Sequence, residues 1–456
     1  MEADTKSIFI GLLAVFMLIP AMLFAESTGK KPLVGVWEVQ VSPVEQSQLP
    51  MLSLAMFSGD GSFTTGVGYK ALPVVPALQD IATELGPGYG RWAATDNAGE
   101  FRLTFYSVMW KAGRVNGYQR VQDTFVLSES GDEYLGPART DFLDRNWNVV
   151  FSTTNEVKAR RLETPNTATL VGKPAEKKPL VGVWVVKESP AGPSHSSLLS
   201  LAMFSGDGSF STTGGYKALP AVPGVRGVAT EIGSGYGRWV GTGEREFRLT
   251  FYSVMWKEGL VNGYQRVRDT LVLSESGDEY TGHAQVDFLD AKRNVVFSTA
   301  TDVEGTKLET PNPAIVSAQQ AERKGVWEVK ASLPGQSVPP LLGLILLGDD
   351  GSFTQSIGSV LPPIPVLQAV ANEIGPSYGH AVRTGDREFR LTFYAVLWKA
   401  GLVNGFQRLQ SIEIMSESGD EWTSRAHSDL VDANWNVVFT LTSDAKGTRL
   451  ETPGKD

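Results

Sequence analysis

The feature that most constrains this chain is a long internal repeat. Gly-Val-Trp occurs at 35–37, 182–184 and 325–327. Each occurrence is followed, in the same order, by a Gly/Asp-rich turn and by the segments EFRLTFY, SESGDE and LETP. A period far above about 50 residues predicts whole domains in a row, because solenoid repeats are shorter and depend on their neighbours.

The repeat divides the 456 residues into three domains joined by short segments rich in Pro, Ala and charge. We predict domains at 31–163, 179–309 and 324–452, with linkers at 164–178 and 310–323.

Each domain reads as an all-β unit. Short runs rich in Val, Phe, Thr and Tyr alternate with tight Gly/Asp turns, which favour consecutive antiparallel hairpins. Eight such strands close most naturally into an up-and-down barrel without free edges. In the first domain the predicted strands are 33–41, 51–57, 62–67, 90–95, 100–111, 117–127, 133–144 and 149–162.

One short helix is predicted between strands 3 and 4 of each domain. In the first domain Pro76 suits a first helical position and Gly86 suits an exit. The residues Leu78, Ile81, Ala82 and Leu85 have the spacing of a helical apolar stripe. Such a helix would either close one barrel end or pack against the barrel wall.

The N-terminal 25 residues have the pattern of an export signal. Ser7 to Ala25 is a nearly unbroken apolar run, followed at once by the polar stretch 26–31. We expect a signal peptide cleaved after Ala25, with an uncleaved membrane anchor as the alternative. Both place the domains in a secreted or periplasmic location, and only this segment is expected to touch a membrane.

Composition excludes several classes of function. The net charge of −9 is spread along the chain with both signs interleaved, so no basic face is available for nucleic acid. There is no cysteine, which removes disulfides and thiolate chemistry. The four histidines are absent from the first copy and lack metal-ligand spacing. We therefore expect no metal, no cofactor and no histidine catalysis common to the copies.

Gly-x-Trp on the first strand and a basic residue late on the last make each unit resemble the calycin superfamily, which includes the lipocalins. Each unit most resembles the secreted, single-domain lipocalin-like proteins of bacteria that lack an assigned function. The resemblance implies that the indole closes one barrel end beneath the cationic side chain. It assigns this structural role to the pairs Trp37 and Arg161, Trp184 and Lys307, and Trp327 and Arg449. By analogy it also implies a small apolar ligand.

Strand alternation predicts which side chains face the lumen. Gln119 and Asp123 share the inward face of the sixth strand with apolar residues. Asp123 is then either a carboxylate at the barrel mouth exposed to water, which is the simpler interpretation, or a general acid or base. We predict a ligand lining formed by Trp92, Phe101, Leu103, Gln119, Asp123, Tyr134, Trp239, Gln265, Asp269, Tyr280, Gln407 and Trp422.

The fifth strand is apolar on both faces, which a free-standing barrel does not need. We predict a contact surface, between repeats or with a protein partner, that includes Tyr106, Trp110, Tyr252, Trp256, Tyr394 and Trp398. The alternative is a bulge that shifts the register and buries these side chains in the core.

Three functions fit these observations. The first is an exported, non-enzymatic protein that binds small apolar or amphipathic molecules in its barrels. The second is a structural or adhesive array that acts through its outer surfaces. The third, a cofactor-free cyclase or isomerase, is weakened because the third copy has Ser411 where the others have Asp.

Overall fold

A computed structural model describes residues 33–43, 51–66, 78, 81–112, 114–165, 179–190, 198–213, 229–258, 260–310, 323–335, 340–357, 368, 370–400 and 402–452. The expected export signal, at 1–25, lies outside these residues. Within them, no helix has the length and apolar character needed to cross a membrane.

The described chain contains 24 strands, which form three closed antiparallel barrels of eight strands each. The predicted all-β architecture of three tandem eight-stranded barrels is confirmed. Barrel 1 contains β1 (Gly35–Pro43), β2 (Met51–Phe57), β3 (Ser62–Gly66), β4 (Glu84–Ala94), β5 (Glu100–Lys111), β6 (Arg114–Leu127), β7 (Glu133–Asp144) and β8 (Val149–Arg161). Barrel 2 contains β9 (Gly182–Pro190), β10 (Leu198–Phe204), β11 (Ser209–Thr212), β12 (Glu231–Gly241), β13 (Glu246–Lys257), β14 (Leu260–Leu273), β15 (Glu279–Asp290) and β16 (Val295–Lys307). Barrel 3 contains β17 (Gly325–Ser332), β18 (Leu341–Leu347), β19 (Ser352–Ile357), β20 (Glu373–Arg383), β21 (Glu388–Lys399), β22 (Leu402–Met415), β23 (Glu421–Asp432) and β24 (Val437–Arg449).

Each barrel closes because its first strand pairs with both its second and its last. In barrel 1, Trp37 on β1 faces Ala55 of β2 on one side and Arg161 of β8 on the other. Closure leaves no unpaired strand edge, so the backbone donors and acceptors of these strands bond within the barrel.

Most of the helix predicted between the third and fourth strands lies outside the described residues, and its predicted last turn is wrong. Strand β4 starts at Glu84 rather than at 90, so Leu85 lies in a strand. Before it, the amides of Ile81 and Ala82 both donate to the carbonyl of Leu78, which makes one turn. Pro76 lies outside the described residues. The apolar spacing indicated burial correctly, because Leu78, Ile81, Ala82 and Leu85 are all buried although Leu85 lies in a strand.

This turn closes one end of barrel 1. Leu78, Ile81 and Leu85 pack with Met109 and with Phe142 of β7. Tyr134, eight residues earlier on the same strand, contacts Trp37 at the other end. At ~3.3 Å per residue the two ends are about 26 Å apart. Apolar side chains therefore pack inside the barrel towards both of its ends.

The three barrels pack against one another in a ring. The outer face of β1 and β2 packs on β12–β14 of barrel 2, the same face of β9 and β10 packs on β20–β22 of barrel 3, and that of β17 and β18 packs back on β4–β6. The interfaces join unlike faces, and a heterologous contact of this kind forms a ring when its rotation closes. The chain is thus a pseudo-threefold assembly within one polypeptide.

A hydrogen bond marks each interface at equivalent positions. The hydroxyls of Tyr106, Tyr252 and Tyr394 donate to backbone carbonyls near the last strand of the neighbouring barrel, which are those of Glu451, Glu163 and Glu309, at 2.8, 2.9 and 2.8 Å. Trp256 and Trp398 are buried in the same clusters, and the half-buried Trp110 packs against its cluster. The structure therefore places the predicted contact residues between repeats. A register shift precedes each Trp, and the side chains remain on the outer face.

Candidate functional site

The lumen of barrel 1 holds a cavity of about 90 Å³. Its wall is mainly apolar because alternate residues of every strand point inward. The apolar lining includes Val39, Ala55, Phe63, Leu103, Phe105 and Val121. A space of this size admits a few water molecules or a very small organic molecule, and it is below the roughly 300 Å³ of pockets for drug-sized ligands.

A single acidic side chain, Asp123, faces this cavity. It lies on β6 opposite Leu103 on one side and Ala138 on the other, and the small Ala138 leaves space beside it. The residue is 5% exposed, and its Oδ1 accepts no hydrogen bond from any described residue. The simpler interpretation, a carboxylate exposed to water at the barrel mouth, is wrong because Asp123 is buried.

Burial raises the pKa of Asp123 to about 7. The cause is desolvation, since a charged carboxylate loses its hydration in an apolar lumen and gains no basic partner. A hydroxyl of the wall, Ser107 Oγ, is also buried without a partner. The cavity thus presents unsatisfied polar atoms in an apolar wall, which is the arrangement that fixes the orientation of a small amphipathic molecule or of ordered water.

Barrel 2 carries two lumen carboxylates instead of one. Asp269 repeats Asp123, is buried, and has an Oδ1 without a partner among the described residues. Glu188 on β9 stands where barrel 1 has Val41, two positions along the inward face from Val186. Burial raises the pKa of both groups to about 7, and the charge of Glu188 adds to the shift of Asp269.

Barrel 3 replaces this site with a buried ion pair. Ser411 stands at the aspartate position, and Glu413 occupies the place of Phe125. Glu413 pairs with Arg323, and the two side chains are 1% and 2% exposed. The guanidinium of Arg323 also lies 5.0 Å from the centre of the Phe389 ring. Burial lowers the pKa of Arg323 to about 9, which leaves it charged at neutral pH.

The predicted lining residues fall into two groups. Leu103, Gln119, Asp123 and Tyr134 line the cavity of barrel 1. Trp92 and Phe101 instead pack edge to face at the Trp37 end, 5.7 Å apart. In barrel 2, Trp239 and Tyr280 belong to the apolar core and Gln265 is half-buried. In barrel 3, Gln407 donates to Ser428 Oγ at 2.7 Å and Trp422 is buried in the core.

The three basic residues late on the last strands lie over the indoles of the first strands. The guanidinium carbons of Arg161 and Arg449 are each 4.4 Å from the ring centres of Trp37 and Trp327, and Lys307 Nζ is 5.4 Å from that of Trp184. Each arginine also donates to two backbone carbonyls, whereas Lys307 donates to one, that of Pro179. The guanidinium of Arg161 or Arg449 therefore links more backbone groups at the barrel end than the ammonium of Lys307 does.

The glycine of Gly-x-Trp is required by this packing. Gly35 has φ of 149°, in a region that side chains disfavour. A Cβ there would lie 2.6 Å from Arg161 Nη1. Any larger residue would displace the cation from the indole.

Neither Glu188 nor the pair of Arg323 and Glu413 was predicted as a site. The signal was present in the comparison of repeats, because Glu188 is the charged residue where the other copies have Val41 and Ala331. Likewise, Arg323 stands where Leu33 and Leu180 stand in the other copies. In the described ranges no three His, Asp or Glu side chains are grouped so as to hold a metal ion.

The geometry defines a protein of three tandem closed barrels, the first of which has a small, partly polar lumen. No protein-family model and no curated protein sequence matches the chain. Among solved structures, it is similar to a bacterial polysaccharide outer membrane secretin, at 7% identity over 91% of this chain and 98% of that one, with a TM-score of 0.22. It is also similar to a protein of unknown function from the DUF3598 family of Nostoc punctiforme, at 12% identity over 60% of this chain and 97% of that one, with a TM-score of 0.13.

Proposed function

We propose that this is an exported, calycin-like binding protein whose first barrel takes up a very small amphipathic molecule. The observation that carries the proposal is Asp123, a buried carboxylate that lines a mainly apolar cavity and has one oxygen without a partner among the described residues. A ligand with an apolar body and one hydrogen-bond donor would satisfy Oδ1 and fill the remaining space. The apolar run from Ser7 to Ala25 supports export.

Native mass spectrometry of the purified chain tests this proposal by detecting a bound small molecule. Titration with 1-butanol, followed by the intrinsic tryptophan fluorescence, then measures uptake by the lumen. Asp123→Asn keeps the volume but changes the acceptor, and Ala138→Val fills the space beside it. We expect both variants to weaken butanol binding, while Asp269→Asn, in barrel 2, leaves that site intact. Equal binding by all four proteins would overturn the lumen assignment.

A second candidate is acid–base catalysis on an apolar substrate. It is favoured by the pKa values of about 7 for Asp123 and Asp269, which suit proton transfer near neutral pH. The adhesive alternative has less support, because the aromatic outer surfaces that motivated it lie between the repeats.

A further inference from the structure

A second cavity, of about 270 Å³, lies where the three barrels meet. It is independent of the lumens, because its wall comes from the outer faces of β2 and β3 and from their equivalents. The turns after β2, β10 and β18 surround it and are linked in a cycle. Asp207 accepts from the amide of Gly59, Asp350 from Gly206, and Asp60 from Asp349, at 2.7, 2.8 and 3.0 Å. The cavity therefore lies on the pseudo-threefold axis.

Three hydroxyls from equivalent positions line this axial cavity. They belong to Thr64, Ser211 and Thr354, which are 5%, 2% and 6% exposed. The oxygens of Thr64 and Thr354 form no hydrogen bond with any described residue, whereas the Ser211 hydroxyl contacts the Tyr378 phenol. A buried hydroxyl without a partner costs about 1–3 kcal/mol. The three hydroxyl oxygens around one axis, two of them without a partner, offer acceptors in threefold geometry to a bound molecule.

The charged residues around the cavity indicate the sign of the charge that a bound molecule would carry. The lining contains acidic residues and no basic ones. Behind it, Arg91 and Arg238 donate to the carbonyls of Asp60 and Asp207, at 2.6 and 2.9 Å, and their charges offset those two carboxylates.

The third barrel has His380 at the arginine position. It is fully buried, and neither ring nitrogen has a partner among the described residues. Burial lowers the pKa of His380 despite the nearby carboxylate of Asp350, so the imidazole is neutral at pH 7. The fourth acidic residue, Asp349, pairs with Lys324 at 3.4 Å. Asp350 therefore has an imidazole where Asp60 and Asp207 each have an arginine behind them.

We infer that the axial cavity binds one small primary ammonium compound. An ammonium group carries three N–H donors in threefold symmetry, which match the three hydroxyls, and its positive charge suits the acidic turns, where Asp350 lacks the arginine of the other two copies. The apolar stem would lie against Met56, Met203 and Leu346, which complete the wall. An anion is disfavoured because it would face the carboxylates of the turns.

Isothermal titration calorimetry of the full chain with n-butylammonium chloride tests this inference, after long incubation because the site is buried. We expect one ammonium per chain. Tetramethylammonium, which has the charge but no N–H donor, should bind at least tenfold more weakly. The double variant Thr64→Val with Thr354→Val removes two acceptors and should also weaken butylammonium binding tenfold or more.

The matched control is Thr64→Ser with Thr354→Ser, which keeps the hydroxyls as Ser211 does and should bind like the native chain. Near-ultraviolet circular dichroism checks that both variants fold. Three results would overturn the inference: no butylammonium binding by the native chain, equal binding of tetramethylammonium, or binding of magnesium or potassium in its place. Since Asp123 plays no part here, the lumen proposal stands or falls separately.

Discussion

The ion pair of Arg323 and Glu413 offers the sharpest test of the packing described above. Both side chains are almost fully buried, and both replace apolar residues of the other barrels, since Leu33 and Phe125 occupy these positions in barrel 1. Replacing Arg323 by Leu alone leaves the Glu413 carboxylate buried without its cation. Such a truncation costs roughly 3–5 kcal/mol. At about 1.4 kcal/mol per factor of ten, the unfolded fraction rises by about two to nearly four orders of magnitude.

The double variant Arg323→Leu with Glu413→Phe restores the apolar pair that barrel 1 already accommodates. Replacing a buried ion pair by packed apolar groups is commonly neutral or stabilising by about 1–4 kcal/mol. Urea unfolding of the four proteins of this cycle measures both effects, with circular dichroism as the signal. We expect a large loss in each single variant and its recovery in the double variant. Additive losses in the double variant would refute the reasoning, because they would show that the two charges do not interact.

Three further predictions follow from named contacts. Burial raises the pKa of Asp123 above its unfolded value, so this group lowers the stability of the native chain as the pH rises from about 4 to 7. Asp123→Asn should therefore gain stability relative to the native chain across that window, by up to about 4 kcal/mol, in urea unfolding at several pH values. Asp141→Asn is the control of opposite sign. Although burial acts to raise the pKa of Asp141, hydrogen bonds from Arg120 and Ser152 hold it below its usual value, so its stabilisation exists at neutral pH and is lost in acid. Tyr118→Phe removes the 2.6 Å hydrogen bond to the buried Glu328 of barrel 3 and should cost about 1–3 kcal/mol, and adding Glu328→Val should recover most of it in the same assay. Arg161→Lys should lower the free energy of unfolding by about 1 kcal/mol, because one hydrogen bond to a carbonyl is lost, whereas Lys307→Arg should raise it by a similar amount. Thermal unfolding measures both changes. A more stable Arg161→Lys variant and a less stable Lys307→Arg variant would contradict the role of the guanidinium group.

Local patterns predicted the strands and the closure of each barrel well. Tight Gly/Asp turns and period-two alternation placed six of the eight strands of barrel 1 within two residues at both ends. The fourth strand was predicted to start at 90 instead of Glu84, because Leu78, Ile81 and Leu85 have helical spacing although Leu85 lies in a bulged strand. Burial sets such spacing, and the backbone that achieves it depends on contacts with Met109 and Phe142 that are distant in sequence.

In the sequence, the only sign of the ring of barrels is that both faces of β5 are apolar. Which barrel faces contact each other can be read from residues that change together across the repeats. Two interfaces join a glutamate to a tyrosine: Tyr118 donates to Glu328, and Glu38 lies near the hydroxyl of Tyr264. The third interface has Val185 and Phe406 at these two positions. These pairs form only if the first strand of each barrel contacts the sixth strand of the next barrel in a cycle. That arrangement places Glu against Tyr at two interfaces and Val against Phe at the third.

The same changes explain what a single chain makes possible. A trimer of identical subunits would carry three identical lumens and three identical axial charges. Here the third barrel alone has the Arg323 and Glu413 pair in its core, and it alone has His380 in place of an arginine at the axis. Because each substitution is confined to one copy, its cost is carried once, and the ring keeps its packing while one lumen loses its aspartate and the axis has one histidine in place of an arginine. The asymmetry of the lumens and of the axis is therefore encoded in the repeats, and it is at these non-identical positions that binding by the chain should be sought.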